Sequence, residues 1–212
     1  MPEPSAAEVA GRARAYLDAQ ARLYGFSGAV LLARGDRVVF SDAWGLANRE
    51  HGVPNTPKTI FRIGSVTKQF TAAAVLLLEE EGRLAVGDPV ERHLPDCPAA
   101  WKAVTIHHLL THASGIPSFT SLKDYGATMM IPASPADVIA RVRDLPLEFE
   151  PGSKFSYNNS GYVLLGLIIE RLAGTSYGEF VSARLFAPLG LRDTGYDVQE
   201  AILPRRASGY SL

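Results

Sequence analysis

Phe61-Arg62-Ile63-Gly64-Ser65-Val66-Thr67-Lys68-Gln69-Phe70 runs directly into Thr71-Ala72-Ala73-Ala74-Val75-Leu76-Leu77-Leu78, and the junction of a polar motif with an apolar stretch governs the reading of the whole chain. Ser65 and Lys68 stand three residues apart, about one helical turn, so the hydroxyl and the amine face the same way. The residues from Phe70 to Leu78 are apolar on nearly every side, which predicts a buried helix. Gly82 predicts its left-handed C-terminal cap, after a solvated end at Glu79, Glu80 and Glu81. A lysine on such a helix calls for a partner. Ser65, at the helix start, would lie beside unpaired backbone N–H groups and the positive end of the helix dipole, where a developing oxyanion is stabilised. Gly64 leaves room there for a substrate. Composition alone yields Ser-x-x-Lys at roughly 1 in 200 positions, so its surroundings must decide what it means.

The chain has 212 residues, 47% of them hydrophobic, enough to bury a substantial core. Its 21 basic and 22 acidic residues leave a net charge of −1, and no basic block or interleaved aromatic stripe points to nucleic acid. The apolar runs are too short to predict a membrane span. Cys97 is the single cysteine, which excludes an internal disulfide and reads as a small packing residue.

Residues 1–25 carry apolar positions Val9, Ala13, Tyr16, Leu17, Leu23 and Tyr24 at helical spacing, with Arg12, Arg14, Asp18 and Arg22 between them. Gln20 is the polar exception on that face, and the pattern predicts an amphipathic helix, not a secretory leader. Gly28 to Ala33 and Arg37 to Ala43 flank Arg34-Gly35-Asp36 and predict an antiparallel hairpin. Short elements follow at Val90 to Leu94 and Thr105 to Thr111. Ser134-Pro135 opens a helix carrying Val138, Ile139 and Val142. Further helices are expected over Asn159 to Ala173 and Ser176 to Leu185.

A second reactive group of residues precedes the Asn159 helix, in Pro151-Gly152-Ser153-Lys154-Phe155-Ser156-Tyr157-Asn158-Asn159. A nearby ammonium favours the phenolate of Tyr157, so a tyrosine and a lysine can relay a proton between them. Asn159 could orient Lys68 and donate to a substrate carbonyl. The plainer alternative makes Tyr157 a half-buried core aromatic and Asn159 the helix N-cap.

Taken together, Phe61 to Phe70, Thr105-Ile106-His107-His108-Leu109-Leu110-Thr111-His112-Ala113-Ser114-Gly115-Ile116-Pro117, and Pro151-Gly152 with Phe155-Ser156-Tyr157-Asn158-Asn159-Ser160-Gly161-Tyr162 resemble the serine β-lactamase and penicillin-binding-protein-like superfamily. The similarity is to its class C β-lactamase, D,D-carboxypeptidase and family VIII esterase branch, and it extends from about Gly25 to the end. It implies an α+β fold of the β-lactamase/transpeptidase type, with residues 1–62 giving the N-terminal helix and a hairpin of the sheet region and 63–212 a mainly helical region, together one truncated domain. It further implies a hydrolase in which Ser65 is the acylated nucleophile and Lys68 handles its proton. Tyr157 would be the general base, and Asn159 would hold Lys68 and the substrate amide. Esters, β-lactams and D-amino-acyl peptides are the implied substrates, esters slightly preferred, with no cofactor and no metal. The absence of a leader favours a cytoplasmic location.

Members of this superfamily carry a third motif, Lys/His-x-Gly, on a later strand that also supplies an oxyanion N–H. After Tyr157 the chain contains no Lys or His. The resemblance therefore implies missing C-terminal strands and closing helix, a hairpin with an open edge, and a homodimer or partner chain to cover it. The alternative function is an impaired fragment or a binding or scaffold protein that keeps the motif residues without turnover.

Rival motifs are weaker. Gly174-Thr175-Ser176-Tyr177-Gly178 matches G-x-S-x-G but follows a helix and has no histidine after it, so Ser176 and Glu179 read as a capping box. His107, His108 and His112 could form a metal face, yet no Asp, Glu or Cys joins them at ligand spacing. His112 reads instead as fixing a loop backbone. Arg205-Arg206 reads as a solvated pair, and Tyr125, Met129 and Met130 as candidates to line an acyl pocket.

Overall fold

A computed structural model describes residues 3–198 and 200–210. The chain up to Ile63, joined by the chain from Asp197 onward, forms one unit, and Gly64–Tyr196 forms the other.

The first unit begins with α1, Ala6–Tyr24, capped by Ser5 and Glu8, each side chain meeting the other's backbone N–H, and closed by Gly25 in the left-handed region at φ 67°. An antiparallel hairpin follows, β1 (Gly28–Arg34) with β2 (Arg37–Trp44), as the turn chemistry predicts. One extra residue bulges opposite Leu32 and Ala33. Trp44 Nε1 donates to Asp18 Oδ1 at 2.8 Å, and Arg14 pairs with Asp42 at 2.5 Å, so α1 is tied to β2 largely by polar contacts. The amphipathic helix expected here forms, but it buries none of its residues, and Tyr24 is 77% exposed. Two short strands, β3 (Leu46–Asn48) and β4 (Val53–Pro54), form a separate pair.

The C-terminal stretch returns to this unit, whereas the sequence reading placed it with the helical region. Ile60 forms a parallel bridge with Arg206, through Ile60 N–H to the Arg205 carbonyl and Ala207 N–H to the Ile60 carbonyl, both at 2.9 Å. Arg206 and Arg62 both reach Asp197, at 2.9 and 2.5 Å. The reading of Arg205-Arg206 as a solvated pair is thereby corrected, since both build the return of the chain.

In the second unit, α2 (Thr67–Glu80) is entered through a 3₁₀ turn at Gly64–Val66. Gly82, at φ 68°, ends it as expected: its N–H reaches the Glu79 carbonyl and the Arg83 N–H the Leu78 carbonyl, the paired bonds of a Schellman cap. Burial is less complete than the apolar run predicts. Ala74, Val75 and Leu78 are buried, while Leu76 is 52% exposed.

Four further helices follow, α3 (Ile106–Leu110), α4 (Tyr125–Thr128), α5 (Pro135–Ala140) and α6 (Asn159–Ala173), with α4 packed on the 3₁₀ turn at Phe119–Ser121. Ser134 caps α5 and Pro135 opens it, as expected. A seventh helix, α7 (Tyr177–Val181), starts at the Ser176/Glu179 capping box and passes into a π-helical turn at Ser182–Phe186. Because α6 contacts α2, α3, α5 and α7, it forms the axis of this unit. Its Leu164, Leu165, Ile168 and Ile169 are buried with Leu78, Trp101, Ile106, Leu109 and Phe180 in one continuous core. Cys97 packs at the edge of that core, where burial pushes its thiol up from the ordinary value. Among the described residues no helix is long and apolar enough to cross a membrane.

Candidate active site

The serine lies on the 3₁₀ turn before α2, and the glycine before it takes φ 52°, a left-handed conformation that disfavours a side chain. Val66 occupies the N-cap position of α2 without any side-chain cap bond. The Ser65 hydroxyl is thus not consumed in capping the helix that carries it.

Lys68, one turn on, donates from Nζ to Asn159 Oδ1 at 2.7 Å and to Ser65 Oγ at 3.3 Å. The ammonium also lies 4.7 Å from the centre of the Tyr157 ring and 5.2 Å from that of Tyr162. Tyr157 brings its hydroxyl to Ser65 Oγ at 2.6 Å. Lys68 and Tyr157, from segments about ninety residues apart in sequence, therefore meet at the Ser65 oxygen, with Asn159 holding Lys68.

Electrostatics separate the two tyrosines beside Lys68. The Lys68 ammonium beside it, then the hydrogen bond with Ser65, holds the Tyr157 phenol below its ordinary value of 10.0. Burial, and then the neighbouring Tyr157, pushes the Tyr162 phenol up, and its hydroxyl donates to the Leu110 carbonyl at 3.1 Å. Two chemically identical groups are driven apart, which marks Tyr157 as the one suited to exchange a proton. It is 47% exposed and lies outside the continuous core, so its ring is half-buried without being the core aromatic of the plainer reading.

The N-cap of α6 is Asn158, not Asn159: Asn158 Oδ1 accepts from the Gly161 N–H at 2.7 Å, and its amide donates to the Ile116 carbonyl. This shift of one residue frees the Asn159 side chain to reach Lys68. Asn159 Nδ2 donates to Thr120 Oγ1 at 2.9 Å, which orients the amide so that its oxygen meets the ammonium. Ser118 in turn accepts from the Asn159 N–H at 3.2 Å and lies 3.0 Å from Thr120 Oγ1. Sequence reasoning missed both hydroxyls. The one available signal was their position just after the Leu109 to Pro117 segment.

That segment is laced to the approach of α6. Gly152 N–H donates to the Ala113 carbonyl and Glu148 N–H to the Gly115 carbonyl, at 2.8 and 2.7 Å. Gly115 has φ 73°, and a Cβ there would stand 2.1 Å from the Phe149 carbonyl oxygen, so only glycine permits this approach. Ser160 Oγ donates to the Pro117 carbonyl at 2.8 Å and accepts from the Phe119 N–H at 2.9 Å. Of the three histidines considered as a metal face, His108 Nδ1 accepts from the Thr105 N–H and His112 Nδ1 from the Asn158 N–H. Among the described residues no group of three or more His, Cys, Asp or Glu side chains converges as for a metal ion.

A cavity of about 530 Å³ opens beside Ser65 and runs between α2 and α6. Tyr125 and Phe119 form part of its wall, while Met129 and Met130, also considered for this role, do not line it. Its far end holds Thr71 Oγ1 at 2.8 Å from the Tyr177 hydroxyl.

Residues 13–212 match the Beta-lactamase family. The chain belongs to that family. This β-lactamase-family chain is 36% identical over 171 residues to a penicillin-binding protein of Bacillus subtilis (strain 168), covering 80% of the chain and 38% of the relative. Esterase EstB of Burkholderia gladioli is 38% identical over 206 residues, covering 90% of the chain and 52% of the relative. Among solved structures, the octameric penicillin-binding protein homologue from Pyrococcus abyssi superposes with a TM-score of 0.79 at 35% identity, over 95% of the chain and 48% of that structure. The β-lactamase-like α+β fold expected from the sequence is the one found. The chain spans about half the length of the relatives it matches, or less.

Proposed function

We propose that the chain is a serine hydrolase that forms an acyl-enzyme on Ser65, with esters as its preferred substrates over β-lactams and D-amino-acyl peptides. The observation that carries this reading is the Ser65 oxygen, held at 2.6 Å from Tyr157 and 3.3 Å from Lys68. A serine hydroxyl becomes a nucleophile when an adjacent base accepts its proton. With Lys68 favouring the phenolate, Tyr157 takes the Ser65 proton as Oγ bonds to the substrate carbonyl carbon. The tetrahedral oxyanion forms near the Ser65 N–H at the entrance to α2, where backbone donors and the helix dipole favour negative charge. Collapse expels the alcohol or amine, which takes the proton from Tyr157. Water then repeats the sequence against the acyl carbon, again yielding its proton to Tyr157, and Ser65 is restored. Asn159 keeps Lys68 in place and has a second amide N–H to offer the substrate.

The ester preference rests on the 38% identity to an esterase. The octameric homologue supports self-association as the way in which open sheet edges are covered. The alternative is a binding or scaffold role that keeps these residues without turnover.

The test is a panel of p-nitrophenyl acetate, nitrocefin and a D-alanyl-D-alanine peptide, assayed on the chain and on Ser65→Ala. Ester turnover that vanishes in Ser65→Ala supports the proposal. Turnover that survives the substitution rejects Ser65 as the nucleophile, and none on any substrate supports the scaffold role instead.

A further inference from the structure

Tyr157 is fixed from both sides by one residue. The N–H of Ser156 donates to the His112 carbonyl at 2.8 Å, and the N–H of Asn158 donates to His112 Nδ1 at 3.0 Å. The His112 ring also packs 4.6 Å from the Tyr157 ring and 5.1 Å from the Tyr162 ring, centre to centre. His112 itself has φ 58°, a left-handed conformation uncommon for residues other than glycine and found most often for Asn, Asp and His. Such a conformation persists when the surroundings over-determine it, and these bonds and ring contacts do so.

The bond to Asn158 has a chemical condition. An imidazole nitrogen that accepts a hydrogen bond carries no proton, so His112 must be neutral with its hydrogen on Nε2. From this geometry we infer that His112 is a positioning residue that makes the site sensitive to acid: a proton on Nδ1 removes the acceptor of the Asn158 N–H, frees the segment carrying Tyr157, and draws its hydroxyl away from Ser65.

The titratable and charged groups that face the ring are Lys68 from α2, Tyr157 from the segment before α6, and Tyr162 from α6; Phe155 adds an uncharged edge at 5.7 Å. Burial, then the Lys68 charge, opposes a second cation here and holds the imidazole below its ordinary value of 6.5. The site therefore stays assembled at neutral pH and loosens as the pH falls below 6.5. The effect on rate rests on the acyl-enzyme reading, while the structural coupling does not.

Two substitutions separate the roles of the ring. His112→Asn accepts the left-handed backbone and offers an amide oxygen to the Asn158 N–H but cannot titrate, whereas His112→Ala removes the acceptor at every pH. The experiment follows the Asn158 amide and the His112 ring by NMR from pH 8 to pH 4, with kcat/KM for p-nitrophenyl acetate over the same range. The expected result is an Asn158 amide shift that titrates together with the His112 ring, a steepening of the acid loss of rate beyond the Tyr157 ionisation that His112→Asn removes, and a drop of up to about 100-fold at all pH values in His112→Ala. An Asn158 amide that stays flat while His112 titrates overturns the inference, as does an acid limb unchanged in His112→Asn. The NMR arm needs no turnover, so a chain that shows the coupled shift but no hydrolysis rejects the proposed reaction and keeps the acid-sensitive link. Hydrolysis with a flat Asn158 amide rejects the link alone.

Discussion

Helices α1 and α6 both pair an apolar stripe with a polar face in sequence, yet α6 buries Leu164, Leu165, Ile168 and Ile169 almost completely while α1 buries nothing. The contrast extends to the units they belong to. Of the buried apolar residues among those described, only Phe40 and Ala47 lie in the unit built from the two ends of the chain. The rest form the core of Gly64–Tyr196, which also carries Ser65, Lys68, Tyr157 and Asn159. Amphipathic pattern thus states what a helix can bury, and the supply of apolar partners decides what it does bury. The reactive groups sit where that supply is greatest, on α2 and at the head of α6, whose packing fixes their separation.

Substitutions should reproduce this contrast. The largest effect is expected at Lys68→Ala, which removes the ammonium from Ser65, Tyr157 and Asn159 together: kcat/KM for p-nitrophenyl acetate should fall about 10⁴-fold, roughly 5.5 kcal/mol. A loss below tenfold would detach Lys68 from the chemistry. Next, Trp101→Ala empties a site that is 1% exposed and should cost about 3–5 kcal/mol in urea unfolding monitored by circular dichroism. Asn159→Ala removes a bond to a charged group, and a fall of about 10- to 100-fold in kcat is expected. At the small end, Leu23→Ala on the exposed α1 should shift unfolding by no more than about 0.5 kcal/mol. A larger cost there would mean that α1 meets apolar surface in solution, as it would on self-association, and sedimentation of the variant would reveal it.

Acid should also separate the parts. His112 binds its proton more readily when unfolded, so stability from this group is complete above the ordinary value of 6.5 and is lost as the pH falls from there through the lowered value of the folded imidazole. Thermal unfolding of His112→Asn should lack that share of the decline. Tyr157 behaves oppositely in consequence: because its phenol is held below 10.0, the base form gains population before an ordinary tyrosine would, and rate should rise with pH to a plateau reached below that value. Tyr157→Phe should abolish the rise.

Much of this site was legible in the sequence because its chemistry is local. Ser65 and Lys68 are one turn apart, Tyr157 and Asn159 straddle a helix start, and Gly82 and Ser176 mark helix ends through backbone rules that need no partner. What escaped notice depended on distant contacts. Thr120 and Ser118 are ordinary hydroxyls until α6 brings Asn159 to them across about forty residues. Asn158 and Asn159 are both plausible caps by type, and only the turn of the incoming chain assigns the cap to the first. His112 was correctly read as fixing a backbone, but its bracketing of Tyr157 requires the Leu109 to Pro117 segment to lie against the approach of α6. The exposure of Leu76 escapes the apolar run because burial belongs to the neighbours as much as to the pattern.

The central claim is that Ser65 in this unit is a nucleophile activated by Lys68 and Tyr157. Its most direct test is intact-mass spectrometry of the folded chain after exposure to a fluorophosphonate, with peptide mapping of the adduct. One phosphonyl group on Ser65, absent from Ser65→Ala and formed far more slowly in Lys68→Ala, is the expected result. A folded chain that gains no adduct, or gains it at the same rate without Lys68, would contradict the claim.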